Sequence, residues 1–205
     1  MKPSYWNKGK LYLSNKDKVL KGIIQKFPNE SLKLNPNYYH ALLNSIIGQQ
    51  ISVSAAKAIN YRFFELHKNI TPNTVLKLNS TSLKACGLSK QKIQYIKNIS
   101  DFFLKNKNFI NNLKYYNDLE IKEKLISIKG VGNWTAEMFL LFSLGSSNIF
   151  PIGDLGFIKA ISKQYKRNIP IDDSYLKRLE KRWSPYSSLA TWYLWRSIDP
   201  IPVSY

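Results

Sequence analysis

Residues 126 to 138 read "ISIKGVGNWTAEM", a helix-forming run interrupted by Gly130 and Gly132. Each glycine costs helix stability, on the order of 1 kcal/mol against alanine. A Gly-Val-Gly spacing at the start of a helix exposes several consecutive backbone N–H groups. Those donors and the helix dipole together favour an anion. Phosphate binding and a plain helix–turn–helix connection account for the pattern equally well. In "PIGDLGF", Asp154 precedes an apolar periodic run, the usual setting of a helix N-cap. A carboxylate at that end of a helix is also stabilised in its ionised form. In "SSLATWYLWRS", Trp192 and Trp195 are three apart and share a helical face, which core packing explains.

Other chemistries are excluded by residue counts. Cys86 is the only cysteine, so disulfide scaffolds, Cys zinc sites and cysteine-ligated iron–sulfur clusters cannot form within the chain. Cys86 reads as a small buried hydrophobe. His40 and His67 are far apart and form no helical ligand pair, so no side-chain metal site is expected. Lys and Arg number 31 against 13 Asp and Glu, a formal charge of +18. That excess favours nucleic acid as partner, since phosphate contacts dominate such affinity. A solvated basic surface is the bland alternative. A membrane surface fits less well, because the lysines are spread along the chain.

These residues must be positioned by a helical framework. The pattern is helical almost throughout, and the composition is globular, with 44% hydrophobic residues. "KDKVLKGIIQKF" carries a stripe of Val19, Leu20, Ile23, Ile24 and Phe27. "NYYHALLNSIIGQQISVSAAKAINYRFFELH" reads as two helices broken at Gly48. Thr71-Pro72, Ser89 and the Asn117/Glu120 pair mark helix starts. "LKACGLSKQKIQYI" repeats the short helix, glycine and long helix plan of the Gly130 region. Only "YWNKGKLYL" alternates, weakly, as a strand would. The N-terminus "MKPSYWNKGK" lacks a signal-peptide core, and no apolar stretch is long enough to span a bilayer. A soluble intracellular protein of the cytoplasm and nucleoid is expected.

"LISIKGVGNWTAEMFLLF" followed by "IFPIGDLGFIKAI" resembles the helix–hairpin–helix DNA glycosylase superfamily. More narrowly it is similar to the 3-methyladenine DNA glycosylase II branch. "LLNSIIGQQISVSAAKAI", "GLSKQKIQYIKNIS" and "RWSPYSSLATWYLWRS" agree with that branch in order and spacing, so the resemblance covers roughly residues 35 to 200. It implies an all-α, two-lobed fold with the active site in the interlobe cleft. Residues 37–145 would form the lobe containing the hairpin, and 1–36 with 146–205 the second lobe. Residues 1–34 are too few for the extra N-terminal sheet domain of some longer members.

The resemblance also assigns roles. Asp154 would be catalytic, stabilising positive charge on deoxyribose and positioning or deprotonating water. Trp134 stands at the hairpin position where bifunctional relatives carry a Schiff-base lysine, and tryptophan cannot form the imine. A monofunctional enzyme that leaves an abasic site is implied. Trp134, Trp195, Met138 and Leu155 would line the base pocket, Met138 where some relatives have tyrosine. Trp192 is left to the core. Gln50 would wedge into the emptied stack, with Gln49 and Ser52 near the backbone; the plain alternative is that "GQQIS" merely caps a helix. Gly130, Val131, Gly132, Lys129, Thr135 and Ser52 would meet DNA phosphate, Lys129 standing just before Gly130, where many members have proline. Carbonyls of Ile126, Ile128 and Val131 could hold a sodium or potassium ion; no other cofactor is implied. The partner would be double-stranded DNA with damaged bases, bound by a monomer that releases alkylated purines. Glycosylases for deaminated or oxidised bases, and a non-catalytic helix–hairpin–helix module, are the alternatives.

Overall fold

The computed structural model of the protein describes residues 1–199, and residues 200–205 at the end of the expected second lobe lie outside it. Every regular element among the described residues is helical. The chain divides into two compact units, one of residues 37–139 and one joining residues 1–36 to the segment that begins at Leu140. The division thus falls at 139/140 rather than at 145/146. A π-helical turn at Leu140–Leu144 starts the later segment. The Asn35 amide donates to the Phe142 carbonyl in that turn at 2.8 Å, and Leu34 packs against Gly145.

In the unit that joins residues 1–36 to the later segment, described first, α1 (Trp6–Lys16) and α2 (Lys18–Lys26) pack against each other. The alternation noticed near the N-terminus is therefore not a strand. Trp6, Gly9 and Leu13 are buried at helical spacing, and that periodicity prevails. The stripe on α2 is as expected, with Leu20, Ile23 and Ile24 buried.

In the 37–139 unit, α3 (Tyr38–Gly48) buries seven of its residues and packs on α4 (Val53–Glu65). Two short helices follow, α5 (Pro72–Lys77) and α6 (Ser80–Ala85), then the long α7 (Lys90–Lys105), which packs on α5 and α3. Thr71 and Thr74 form a capping box, and Ser89 caps α7 by accepting the Lys92 amide. Ile93, Ile96, Ile99 and Phe103 supply the buried face of α7. The Tyr39 hydroxyl lies 2.6 Å from Ser100 Oγ, and burial pushes its pKa up to about 12. A short α8 (Lys107–Asn111) leads to α9 (Asp118–Ile126), opened by the Asn117/Glu120 capping box, and then to α10 (Asn133–Phe139). Lys122 pairs with Glu137 at 2.7 Å and ties α9 to α10 across the hairpin.

Back in the first unit come α11 (Leu155–Tyr165), α12 (Asp173–Trp183) and α13 (Ser187–Arg196). Residues Ser187–Trp195 of α13 are all buried, so this helix is apolar or small all round and forms the axis of the unit. Trp192, left to the core by its spacing, meets the Trp6 ring edge-on at 5.3 Å. Asp17 caps α2 and is 3% exposed, accepting bonds from Tyr165 at 2.8 Å and the Trp183 indole at 3.0 Å. A buried carboxylate is tolerable because those donors replace water. No described helix is long and apolar enough to cross a membrane.

Candidate active site

The two glycines of the hairpin are required for different reasons. Gly130 has φ +108°, where L side chains are strained, and a Cβ there would overlap the Tyr95 ring of α7. Asn98, one turn further along α7, donates its Nδ2 to the Lys129 carbonyl at 3.0 Å. Gly132 has no atom within 4 Å of where its Cβ would lie, and no positive φ. Nothing inside the fold demands glycine there; closeness to something outside would. The Val131 amide donates to the Ile128 carbonyl at 2.9 Å, closing the turn, while the Val131 side chain is buried. Lys129 is exposed and Trp134 half-exposed on α10.

The loop 49–52 between α3 and α4 is tied to this hairpin. Gln49 Nε2 donates to Thr135 Oγ1 at 3.1 Å and to the Gly130 carbonyl at 3.4 Å. Thr135 is itself buried, and its hydroxyl accepts from Gln49 inside the fold. Gln50 is exposed and takes the left-handed conformation, φ 57°. Such a conformation costs a non-glycine residue roughly 1–2 kcal/mol. Ser52 is exposed and caps α4 by accepting the Ala55 amide at 3.2 Å. Lys92 of α7 donates to the carbonyls of Ile47 at 2.7 Å and Gln49 at 2.8 Å. Burial lowers the pKa of this ammonium below the usual lysine range.

Asp154 lies in the other unit, as N-cap of α11. Its Oδ1 accepts the Phe157 amide at 2.6 Å and the indole N–H of Trp195 at 2.9 Å. Trp195 is 5% exposed, and its ring stacks on Phe142 at 5.9 Å. A Cβ on Gly156 would stand 3.1 Å from Asp154 Oδ1 and 3.5 Å from the indole nitrogen, so glycine leaves room for that bond. Two N–H donors on one oxygen fix the orientation of this side chain at the helix N-terminus. It can stabilise a neighbouring positive charge or take a proton from water.

A sequence comparison decides what these pieces belong to. Residues 43–191 match the HhH-GPD superfamily base excision DNA repair protein family. The chain belongs to the HhH-GPD superfamily. It is 32% identical over 192 residues to "Putative DNA-3-methyladenine glycosylase YfjP" of Bacillus subtilis (strain 168), spanning 88% of this chain and 66% of that protein. Over 204 residues it is 29% identical to DNA-3-methyladenine glycosylase 1 of Schizosaccharomyces pombe, covering 93% and 86% of the two chains. The structure of S. pombe 3-methyladenine DNA glycosylase (Mag1) in complex with abasic DNA superposes with TM-score 0.80, at 26% identity, over 93% of this chain and 96% of that one. The all-α helix–hairpin–helix glycosylase fold is shown by these matches.

As an HhH-GPD protein, the chain places its expected site residues in two groups. Gln49, Gly130 and Thr135 meet through hydrogen bonds in the 37–139 unit. Asp154 and Trp195 meet in the other. Two expected pocket residues sit differently. Met138 is fully buried on the inner face of α10 and belongs to the core, beside Thr135, Ala136 and Phe139. Leu155 is 75% exposed, because the first residue of α11 points away from the buried positions Phe157, Ala160 and Ile161. Trp195, expected as an aromatic wall, is a buried donor to the Asp154 carboxylate. Lys92, Tyr95 and Asn98 lie in the stretch "GLSKQKIQYIKNIS", but that resemblance assigns them no role, because their partners in the loop and hairpin are distant in the chain. Among the described residues no group of three or more His, Cys, Asp or Glu could hold a metal ion.

Proposed function

We propose that the protein is a monofunctional DNA glycosylase that extrudes and excises alkylated purines of the 3-methyladenine and 7-methylguanine class. The Asp154 carboxylate, held on one oxygen by Trp195 and the Phe157 amide, carries this reading together with the family membership. Methylation at N3 of adenine or N7 of guanine makes the base cationic and weakens its bond to C1′. As the C1′–N bond breaks, its electron pair leaves with the base and positive charge develops on the sugar. Asp154 stabilises that charge, and water adds through oxygen to C1′ while its proton passes to the carboxylate. The product is an abasic site with an intact strand.

Trp134 supports the monofunctional assignment, since an indole offers no amine for a Schiff base. Its half-exposed ring also supports a cationic substrate, with cation–π attraction worth ~0.5–2 kcal/mol per contact. Exposed Leu155 beside the carboxylate offers an apolar contact. Gly130, Gly132 and Lys129 would meet lesion-strand phosphate, and Gln50 would fill the vacated stack. The protein would act as a monomer inside the cell on double-stranded DNA. The Ile126, Ile128 and Val131 carbonyls suit a sodium or potassium ion of structural use, since a carbonyl such as Ile128's retains a second lone pair beside its bond to the Val131 amide.

The test is base release from alkylated DNA by wild type and Asp154→Asn, followed with and without alkali. Asparagine keeps the N-cap, so the variant should fold. Wild type should free 3-methyladenine, with strand breaks only after alkali, and the variant should not. Equal release by both proteins would sink the catalytic role of Asp154. No release by wild type would leave a DNA-binding module, and breaks without alkali would refute the monofunctional assignment.

A further inference from the structure

Both proposed DNA-contacting elements of the 37–139 unit rest on one face of α7. Lys92, Tyr95 and Asn98 are three apart, so they line up along that helix. Lys92 grips the end of α3 and the Gln49 carbonyl, the Tyr95 ring fills the space that Gly130 leaves, and Asn98 holds the Lys129 carbonyl. The Gln49 side chain closes the circuit by bonding Thr135 and Gly130. The wedge loop and the hairpin are therefore held to each other directly and to a shared helix.

The strained residue lies at the gripped point. The Gln49 carbonyl belongs to the peptide unit that ends on the Gln50 nitrogen, so holding that plane restrains the φ rotation of Gln50. A non-glycine residue keeps φ 57° only where its surroundings over-determine it. Two bonds from one ammonium, at 2.7 and 2.8 Å, supply that constraint, and they also satisfy the Ile47 carbonyl, which has no partner within its own helix. Burial lowers the Lys92 pKa, so placing an ammonium here is costly; one serving only solubility would lie in water.

We infer that Lys92 is a positioning residue for base extrusion: by clamping the Gln49 carbonyl it holds Gln50 in the conformation that aims its side chain into the duplex. Lys92 touches neither substrate nor reacting atoms and acts through Gln50. The inference rests on the proposed glycosylase and on Gln50 as its wedge.

A double-mutant cycle tests it. Single-turnover excision is measured on a fully paired duplex carrying one 7-methylguanine, for wild type, Lys92→Met, Gln50→Ala and the double variant. A 2-aminopurine beside the lesion reports extrusion separately, and melting temperature reports folding. Both single variants should slow excision, by ~10- to 100-fold for a misplaced wedge. Adding K92M to Q50A should then change the rate by less than about 2-fold, because independent sites would instead multiply. The extrusion signal of K92M should fall with its rate. If K92M does not fold, Lys92→Arg keeps the charge with altered reach and runs through the same cycle. Multiplicative losses, or K92M at the wild-type rate, would overturn the role of Lys92. A Q50A variant at the wild-type rate would overturn it through the wedge. Absence of release by wild type would instead refute the proposed function itself.

Discussion

The indole N–H of Trp195 and the carboxylate of Asp154 are joined at 2.9 Å, on the same oxygen that accepts the Phe157 amide. A ring expected only to line a pocket therefore also orients the carboxylate proposed as catalytic. Trp195→Phe keeps an aromatic ring on Phe142 and removes one charge-assisted donor, worth about 1.5–3 kcal/mol. The single-turnover excision rate should fall by ~10- to 100-fold, with DNA affinity within about 2-fold of wild type. An unchanged rate in a folded W195F protein would show that the Phe157 amide suffices.

The hairpin glycines should separate stability from binding. Gly130→Ala meets both a positive φ and the Tyr95 ring, so it should lose about 2–4 kcal/mol of stability. Gly132→Ala meets nothing, so its melting temperature should stay within a few degrees of wild type. If phosphate approaches that backbone, the added methyl should still weaken duplex binding by ~10-fold. Thermal melts and titration with undamaged duplex at fixed salt would decide, and a G132A protein of wild-type affinity would place the phosphate elsewhere.

Asp17→Asn should be among the more destabilising substitutions. Asp17 Oδ1 takes the Val19 and Leu20 amides, and Oδ2 takes Tyr165, Trp183 and the Arg182 guanidinium. An amide can accept on only one side, so the Trp183 N–H would face another donor or the helix would lose its cap. About 2–4 kcal/mol should be lost, read from chemical denaturation. A loss below about 1 kcal/mol would mean that Tyr165 and Trp183 find other partners.

Acid should weaken the contact between the 27–30 segment and α13. Arg196 donates to both oxygens of Glu30, at 2.5 and 2.9 Å, and lies 4.2 Å from the Phe27 ring centre. That hydrogen bond, aided by the guanidinium charge and opposed by burial, holds the Glu30 pKa below its usual value. A carboxylate with a depressed folded pKa stabilises fully above its unfolded pKa of about 4.3, and the gain is lost as pH falls through the folded value. Glu30→Gln should therefore lower the melting temperature at neutral pH and converge on wild type once the pH falls below the depressed Glu30 pKa. Parallel melting curves across that range would contradict the pairing.

Local signals were legible in the sequence because their partners are near in the chain. Thr71 with Thr74, Ser89 with the Lys92 amide, and Asn117 with Glu120 each close a cap within three residues. The stripes on α2 and α7 were readable for the same reason. Lys92 was not, since one lysine among 31 basic residues carries no signal, and its acceptors are 43 and 45 residues away. Met138 looked like a pocket residue from its place in the motif, whereas the face of α10 on which it falls is buried by packing. Asp154 as a cap was local; its bond to Trp195 spans 41 residues.

The sequence by itself determined the helical framework, the two glycines of the hairpin, the tryptophan that follows them and the capping carboxylate of Asp154. Those features depend on periodicity, on short-range caps and on the identity of single residues. Tertiary structure alone decided which donor orients that carboxylate, why Gly130 has no substitute while Gly132 faces open space, and what keeps Gln50 in a strained conformation. Each of these depends on atoms distant in the chain meeting within 3 or 4 Å, a distance set by the packing of whole helices and written in no local pattern.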